Sequence, residues 1–249
     1  MKIENKEFWE REDVIHSQNK TVVNTSNYEA YLYEKAKNYF SKLNSSVKFA
    51  KIFGCGTGRE INGILKYVPV DAILATDISE NMIKKGRENV ISWNLQDKVK
   101  LEVADASKFT AKANSFELVT IMNCMLTYIQ DRKDRYTIFK TAHDILSPKG
   151  VLIGVVHNQV GTPQKTLYFL LRRLMKPFLK NEPGNRTTGF YGFDVSGYYF
   201  TKKDLHKHLS DNGFVNIEIK SLSEYYKEIN FKYNRLKGYN NLIFFATKT

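Results

Sequence analysis

Apolar runs of strand length alternate with segments of helical spacing from about residue 47 onward. Five of these runs predict strands, over residues 47–53, 71–77, 99–104, 116–122 and 151–156. Helical spacing between them is clearest over 59–67 and 131–146. Strands that alternate with helices in this way favour a parallel sheet that is covered by helices on both faces.

The C-terminal part adds two strands of a different kind. A helix predicted over 201–212 is followed by Gly213, a residue type that commonly ends helices, and strands follow over 214–219 and 242–247. The Tyr-rich connection between these strands shows no clear crossover helix, which favours an antiparallel pair. The predicted fold class is therefore α/β, a doubly wound, mostly parallel seven-stranded sheet with an antiparallel terminal strand and helical lid elements.

Two segments lie outside the alternating pattern. Residues 1–46 are helical in spacing and rich in aromatic residues, which predicts an N-terminal helical cover on a main domain of residues 47–249. Residues 157–200 form an insert between the fifth strand and the last helix. Long inserts in compact domains commonly serve as lids or binding loops, so we predict a lid here.

Leucine and phenylalanine are mixed with basic residues in this insert, which has six basic residues and one acidic residue between 165 and 186. We interpret it as an apolar lid whose basic face attracts an anionic acceptor, or as an amphipathic lid whose lysines are only solvated. A basic amphipathic helix can also touch a membrane surface, an alternative that we favour less. Pro177 should bend or end the helix.

Composition narrows the class of protein. The chain has 249 residues, of which 42% are hydrophobic, and this fits one large globular domain. No apolar run approaches the length of a membrane-spanning helix, and the N-terminus lacks the apolar stretch of a secretory signal. The two cysteines cannot build a disulfide framework. We therefore expect a cytoplasmic location.

The formal net charge of +12 leaves three explanations open: a nucleic-acid partner, an anionic substrate or a solvated basic surface. The basic residues are spread along most of the chain and do not form an arginine-rich tail. We expect neither nucleic acid nor a membrane as the partner, and a small molecule as the substrate.

A glycine-rich turn, Gly54-Cys55-Gly56-Thr57-Gly58, joins the first strand to the first helix behind it. Glycine allows the backbone to bend sharply and to approach a ligand closely, and the helix N-terminus adds N–H donors. Asp77 ends the second strand, where a carboxylate can accept hydrogen bonds from two ribose hydroxyls. Asp105 ends the third strand, within reach of an adenine amino group. Each feature also has a purely structural explanation. The glycines could form a tight turn without a ligand, Asp77 could stabilise the N-terminus of the next helix, and Asp105 could be an N-cap.

These three features lie at the carboxyl ends of adjacent strands and, with the strand 116–122, resemble the first four motifs of the class I S-adenosylmethionine-dependent methyltransferases. The resemblance covers about residues 47–156, then 199–214 and the last strand. It implies a Rossmann-like methyltransferase fold, S-adenosylmethionine as the cofactor, and O- or N-methylation of a small metabolite. The basic charge of the insert favours a metabolite that is anionic. The residues that it assigns to the cofactor are Gly54, Cys55, Gly56, Gly58, Asp77, Ile78, Met82, Asp105, Ala106 and Asn123.

The chain departs from the family pattern at one place. The family commonly has an acidic residue two places before the first glycine, whereas this chain has Ile52. The carboxylate that would help to hold the methionine amino group must then be replaced by a carbonyl near Asn123, by Glu60 or by a group from the N-terminal segment. Arg59 argues against a dinucleotide, because a nicotinamide-type turn would have a small residue there.

Methyl transfer from a sulfonium requires mainly that nucleophile, methyl and sulfur be aligned, and a base helps only if the acceptor loses a proton. His157, directly after the fifth strand, and Tyr128 are the candidate catalytic residues, with loop packing and core packing as the alternatives. Candidate substrate contacts are Tyr28 and Tyr31 in the N-terminal cover, and Tyr198 in a Gly- and Tyr-rich stretch that we predict to be a loop over the acceptor. We predict no metal site.

Two other functions stay open. The charge allows an RNA or protein methyltransferase, although the chain has Asn123-Cys124-Met125-Leu126 where enzymes that act on exocyclic amines have an Asn-Pro-Pro-Tyr type of signature. The isoleucine at position 52 allows a non-catalytic module that only binds S-adenosylmethionine.

Overall fold

The computed structural model describes residues 4–190, 192–234, 236 and 239–249. Nine strands are assigned in it: β1 (Val47–Phe53), β2 (Val70–Asp77), β3 (Val99–Val103), β4 (Phe116–Ile121), β5 (Leu146–Val156), β6 (Asn185–Phe190), β7 (Phe193–Tyr198), β8 (Val215–Ser221) and β9 (Leu242–Thr247). The α-helices are α1 (Asn5–Trp9), α2 (Glu12–Asn19), α3 (Asn27–Lys42), α4 (Arg59–Tyr67), α5 (Glu80–Ser92), α6 (Arg132–Ile145), α7 (Pro163–Leu174), α8 (Lys202–Asp211) and α9 (Leu222–Glu228). Short 3-10 turns cover Met125–Tyr128 and Lys176–Phe178.

Seven of the strands form one sheet in the order β3-β2-β1-β4-β5-β9-β8. The first five in the chain are parallel, and β9 runs antiparallel to both β5 and β8. The predicted fold class is therefore confirmed. The order reverses between β1 and β4, so the loops after these two strands open a crevice at the carboxyl edge of the sheet, where α/β sheets bind ligands.

Helices cover both faces of this sheet, and the sheet separates two apolar clusters of the core. One apolar cluster lies under α3, α4, α5 and α9, and the other lies under α6 and α8. The apolar side chains of α4, Ile61 and Ile64, are fully buried in the first cluster. The rigid layers fix the ends of β1, β2 and β3 relative to one another, which is what positions the site.

Two details of the sheet differ from the predictions. The fifth strand, predicted over 151–156, begins earlier at Leu146 and includes Pro148-Lys149-Gly150, where Lys149 adopts a φ of 63° and the register with β4 shifts nearby. A seven-residue helix, α9, occupies the connection in which the sequence shows no crossover helix. It does not carry β9 across the sheet, because β8 and β9 pair directly as antiparallel neighbours.

The N-terminal helices divide between two places. The helix α3 packs against α4, β5 and β9, and so belongs to one helical layer of the sheet. The two short helices before it lie over the carboxyl edge, where Phe8, Val14 and Ile15 form a small cluster with Met82 and Val195. The division into a cover of residues 1–46 and a main domain of residues 47–249 remains our proposal.

The insert contains a helix and a hairpin. The helix α7 ends at Leu174, three residues before Pro177, and β6 and β7 pair as an antiparallel hairpin. The stretch predicted to be a loop over the acceptor forms much of this hairpin instead, and Tyr191 lies outside the described residues. No helix in the described residues is long and apolar enough to cross a membrane.

Candidate active site

The glycine-rich turn connects β1 to α4, and three of its residues have left-handed backbone angles. The φ values are 70° at Gly54, 52° at Gly56 and 98° at Gly58. A Cβ at Gly54 would lie 2.4 Å from Cγ of Met125, whereas a Cβ at Gly56 would meet nothing closer than Sδ of Met82 at 3.9 Å. Packing against Met125 therefore requires a glycine at position 54. At Gly56 no protein atom occupies the place of a Cβ, so the space there is open to a ligand.

Asp77 lies directly beneath this turn. Its carboxylate accepts hydrogen bonds from the backbone N–H of Gly56 at 2.8 Å and of Ser79 at 3.0 Å. Burial raises the pKa of the carboxyl, and these N–H donors oppose the rise. The side chain thus joins the loops after β1 and β2 and keeps lone pairs for a ligand.

Asp105 follows β3 on the same edge. It accepts hydrogen bonds from the backbone N–H of Ser107 at 2.9 Å and from the Ser107 hydroxyl at 2.8 Å. Burial pushes its pKa upward, but these bonds and the nearby Lys108 outweigh burial, and the net pKa is lowered. The ionised carboxylate of Asp105 is therefore held at the position where the sequence predicts contact with the adenine.

These groups line one cavity of about 620 Å³, a size typical of sites for small molecules. Of the residues predicted to bind the cofactor, all but Gly58 lie on its wall: Gly54, Cys55, Gly56, Asp77, Ile78, Met82, Asp105, Ala106 and Asn123. Gly58 instead precedes α4, beside Ile61 and Trp93. The structure thus brings nearly the whole predicted set together, and its binding role remains a proposal.

Arg59 connects the cavity floor to the N-terminal segment. Its guanidinium donates to Oδ1 of Asn123 at 2.6 Å, to Oε2 of Glu29 at 2.6 Å and to the carbonyl of Asn24 at 2.8 Å. Asn123 itself has a φ of 50°, an uncommon angle for a residue other than glycine. Arg59 was not predicted as a site residue, although its position directly after the glycine turn, at the start of α4, could have indicated that it lies beside the cavity.

The position of the family's acidic residue is filled by an apolar side chain. Ile52 is fully buried in the core. Glu60 accepts a hydrogen bond from the Thr120 hydroxyl at 2.8 Å and is not part of the cavity wall. Burial raises the pKa of Glu60 to about 8, which favours the protonated form at neutral pH. Glu60 is therefore not placed to replace the acid, whereas a carbonyl near Asn123 and a group from the N-terminal segment, such as Asn5 or Gln18 on the cavity wall, stay open.

The N-terminal helices close one side of the cavity. Asn5, Lys6, Trp9 and Gln18 line it, although none of them was predicted as a site residue. The carbonyl of Trp9 accepts a hydrogen bond from Ser79, and the Glu10 carboxylate accepts from the backbone N–H groups of Glu80 and Asn81. These contacts fix the cover to the start of α5. Trp9 is part of the aromatic pattern that predicted a cover.

The acceptor side of the cavity is aromatic. The ring of Tyr128 lies edge-on to Trp9, with centroids 5.1 Å apart, and 6.4 Å from the imidazole of His157. His157 stacks between Tyr199 at 5.2 Å and Tyr239 at 5.6 Å. Burial raises the pKa of the Tyr128 hydroxyl, so this group is a hydrogen-bond donor and not a base at neutral pH.

His157 is held in one orientation. Its backbone N–H donates to the Thr127 hydroxyl at 3.0 Å, and its Nδ1 lies 2.8 Å from Oδ1 of Asn241. Because that oxygen only accepts hydrogen bonds, Nδ1 carries the proton and Nε2 keeps its lone pair. Burial lowers the pKa of the imidazole to about 4, with a further contribution from the charge of Lys165.

We expect His157 to titrate near pH 4 in the folded chain, below its ordinary value of 6.5, because burial disfavours the imidazolium. The unfolded state therefore takes up the proton first, and the stability contributed by neutral His157 is lost as the pH falls from 6.5 towards 4. The measurement is an NMR titration of isotopically labelled histidine, with His157→Gln to identify the signal. A midpoint near 6.5 in the folded chain would show that the imidazole is solvated.

The three residues predicted to bind the substrate lie elsewhere. Tyr28 is part-buried and off the cavity wall, and Tyr31 packs on Tyr225 with ring centroids 5.0 Å apart. Tyr198 is buried under the guanidinium of Arg135, which lies 3.7 Å from the ring centroid. Tyr239, which the sequence analysis did not single out, occupies the wall instead. Among the described residues, no group of three or more His, Cys, Asp or Glu side chains is placed to hold a metal ion.

Comparison with known proteins agrees with this geometry. Residues 52–150 match a family model described as a methyltransferase domain. A demethylmenaquinone methyltransferase of Lactobacillus johnsonii is 25% identical over 193 residues, covering 75% of this chain and 76% of that protein.

Solved structures share the fold. An S-adenosylmethionine-dependent methyltransferase from Clostridium acetobutylicum aligns with a TM-score of 0.64 and 17% identity, over 95% of this chain and 98% of that one. A Burkholderia thailandensis 1,6-didemethyltoxoflavin-N1-methyltransferase, solved with S-adenosylhomocysteine bound, aligns with a TM-score of 0.61 and 16% identity, over 95% of this chain and 84% of that one. The chain therefore contains a methyltransferase domain and shares the fold of S-adenosylmethionine-dependent methyltransferases, and S-adenosylmethionine is its cofactor.

Proposed function

We propose that this methyltransferase acts on an oxygen or nitrogen atom of a small, ring-bearing acceptor, and that His157 removes the proton from that atom. The observation that carries the proposal is the neutral His157 on the cavity wall, with Nδ1 paired to Asn241 and the lone pair of Nε2 unprotonated. Because its pKa is about 4, the imidazole takes the proton only as the acceptor atom bonds to the methyl group and its proton becomes strongly acidic. S-adenosylmethionine supplies a methyl group on a sulfonium, so the nucleophile forms a bond to this carbon while the bond from carbon to sulfur breaks.

The cofactor would occupy the end of the cavity formed by the three strand termini. Asp77 would hold the ribose, Ile78 and Met82 would pack on the adenine, and Asp105 would accept from its amino group. The opposite end, between Trp9, Tyr128 and Tyr239, would hold the acceptor. Aromatic walls bind a flat ring well, because ring faces and edges pack at favourable distances.

We further propose that the methyl acceptor is negatively charged. Lys165 is close enough to His157 for its charge to lower the pKa of the imidazole. Within the described part of the chain, Lys165 forms no ion pair with a carboxylate. Its charge is thus available to stabilise an anionic group, or the anion that forms when His157 takes the proton. The basic residues on the cavity wall itself are Lys6 and Arg59, whereas Nζ of Lys165 lies beside the cavity, 5.0 Å from the ring centroid of Tyr199.

A quinone-type ring is the second candidate acceptor. The relative from Lactobacillus johnsonii is named as a demethylmenaquinone methyltransferase. The aromatic wall formed by Trp9, Tyr128 and Tyr239 suits such a ring, and His157 could deprotonate a ring hydroxyl in its reduced form. In that case the ring carbon would form the bond to the methyl group while the bond from carbon to sulfur breaks, and the proton on that ring carbon would then leave so that the ring becomes aromatic again.

The test is an acceptor screen with S-adenosylmethionine labelled in the methyl group. Phenols, aromatic amines, carboxylated and phosphorylated ring compounds and reduced quinones would be offered separately, and labelled product and S-adenosylhomocysteine would be measured. We expect turnover with a ring-bearing hydroxyl or amine. Turnover restricted to RNA or protein would contradict the proposal, and so would binding of the cofactor with no acceptor methylated.

For the acceptor found in that screen, we expect His157→Gln to lower kcat by about 10²–10⁴-fold, the usual contribution of a general base. The affinity for S-adenosylmethionine should stay unchanged, because His157 lies on the acceptor side. The matched control is His206→Gln, at an exposed position on α8. Unchanged kcat in the His157 variant would remove this residue from the mechanism.

A further inference from the structure

The insert helix exposes an apolar stripe. The side chains of Leu167, Leu170, Leu171 and Leu174 are spaced as one helix face, and Met175 and Phe178 continue it into the following 3-10 turn. All six are exposed, up to 71% for Leu174 and 83% for Phe178. Monomeric proteins rarely expose such a contiguous apolar face without a function. We call this set of six residues the α7 stripe.

The opposite face of α7 is fixed to the protein. Phe169, which is buried, packs on Tyr199 with ring centroids 5.2 Å apart. Arg173 donates to Oε1 of the buried Gln159 at 2.7 Å, and Arg172 donates to the carbonyl of Pro183 at 3.1 Å. The α7 stripe therefore cannot turn inward unless these contacts break. None of its six residues lines the cavity.

Positive charge flanks the C-terminal end of the α7 stripe, where Lys176 and Lys180 are exposed. Residues 163–181 contain five basic residues and no acidic one: Lys165, Arg172, Arg173, Lys176 and Lys180. In the described ranges none of these five forms an ion pair, since Arg172 and Arg173 donate only to carbonyl and amide oxygens. The neighbouring Glu182 is already paired with Arg135. Whatever covers the stripe must be apolar at the contact and negatively charged around it.

We infer that the α7 stripe docks on the surface of an anionic lipid bilayer. Exposed leucine and phenylalanine side chains would enter the boundary between headgroups and acyl chains, and the exposed Lys176 and Lys180 would meet lipid phosphates. A second copy of the chain fits less well, because two such faces would bring Lys176 and Lys180 of one copy close to the same lysines of the other.

This inference differs from the expectation that a membrane is not a partner. That expectation treated the apolar face of the insert as a lid over the acceptor, whereas the structure turns it to solvent. Because α7 follows His157 closely in the chain, docking would bring the bilayer to the acceptor side of the molecule. The inference does not depend on the proposed acceptor or on His157.

The test is co-sedimentation of the full chain with vesicles, without any methyl acceptor. Vesicles of equal parts phosphatidylcholine and phosphatidylglycerol should bind the chain, and vesicles of phosphatidylcholine alone should bind it far more weakly. The double variant Leu174→Glu/Phe178→Glu should lose about tenfold or more in partitioning, because two apolar contacts are replaced by charges that anionic lipid repels. Lys176→Ala/Lys180→Ala should weaken binding to the anionic vesicles only.

The matched control is Ile91→Glu on α5, since Ile91 is 63% exposed and lies outside the insert. It should bind vesicles like the unchanged chain. Three results would overturn the inference: no binding to anionic vesicles, equal binding by the Leu174→Glu/Phe178→Glu variant, or equal binding to both vesicle types. A dimer in light scattering that disappears in the same double variant would assign the stripe to a second copy of the chain.

Discussion

Replacing Asp77 by alanine is expected to weaken the binding of S-adenosylmethionine by about 1.5–3 kcal/mol, the scale of hydrogen bonds to a charged group. The carboxylate lies on the cavity wall at the end of β2, and its two backbone partners leave it further lone pairs for the ribose hydroxyls. Calorimetric titration with S-adenosylmethionine and S-adenosylhomocysteine would measure the loss. Both ligands should be affected alike, because they share the ribose.

The control for this variant is Asp71→Ala, which removes an exposed carboxylate from the same strand. Loss of Asp77 also leaves the N–H groups of Gly56 and Ser79 without their partner, so the melting temperature of each variant would be measured as well. Asp77→Asn keeps one acceptor oxygen and should bind with intermediate affinity. If Asp77→Ala binds both ligands normally while folded, the ribose assignment is wrong.

Replacing Gly54 by alanine is expected to lower the free energy of unfolding by about 2–4 kcal/mol, from overpacking and from the left-handed backbone angle together. The new Cβ would lie 2.4 Å from Cγ and 2.9 Å from Cβ of Met125, with φ at +70°. The Met125 Cβ is attached directly to the backbone, so a rotamer change alone cannot relieve the clash. Chemical denaturation would measure the effect.

Gly56→Ala is the matched comparison. Its φ is +52°, but the nearest protein atom to the new Cβ is Sδ of Met82 at 3.9 Å. We expect a loss of only about 1 kcal/mol in stability, from the backbone angle, and a clear loss of cofactor affinity. The two glycines thus separate a packing requirement from a binding requirement. Equal destabilisation by both substitutions would contradict this distinction.

The cofactor side of the site could be predicted from the sequence because its determinants are local. Each of Gly54, Asp77 and Asp105 lies at the end of a strand whose pattern is legible, and parallel strands end at one edge of the sheet. The parallel direction of β1 to β5 follows from the same alternation of strands and helices, whereas the order of the strands came from the structure. The reversed direction of β9 was also predictable, because the chain between β8 and β9 shows no crossover helix.

The acceptor side depended on contacts between distant parts of the chain. Trp9, Tyr128 and Tyr239 meet at one wall although the sequence separates them widely. The predicted tyrosines at 28, 31 and 198 have the same chemistry but pack elsewhere, against Tyr225 and Arg135 among others. The many aromatic residues in the N-terminal segment therefore predicted a cover, but they did not indicate which of the rings would face the cavity.

The α/β architecture, the glycine turn and the carboxylates at the strand ends could be predicted from the sequence alone, because periodicity and turn chemistry act over a few residues. The direction in which each amphipathic face points depends on contacts that form in the folded chain. The pattern of α7 shows an apolar stripe, but Phe169 against Tyr199 and Arg173 against Gln159 turn that stripe to solvent. The spacing of apolar residues defines the apolar face of a helix, but contacts between residues distant in the chain determine what that face packs against.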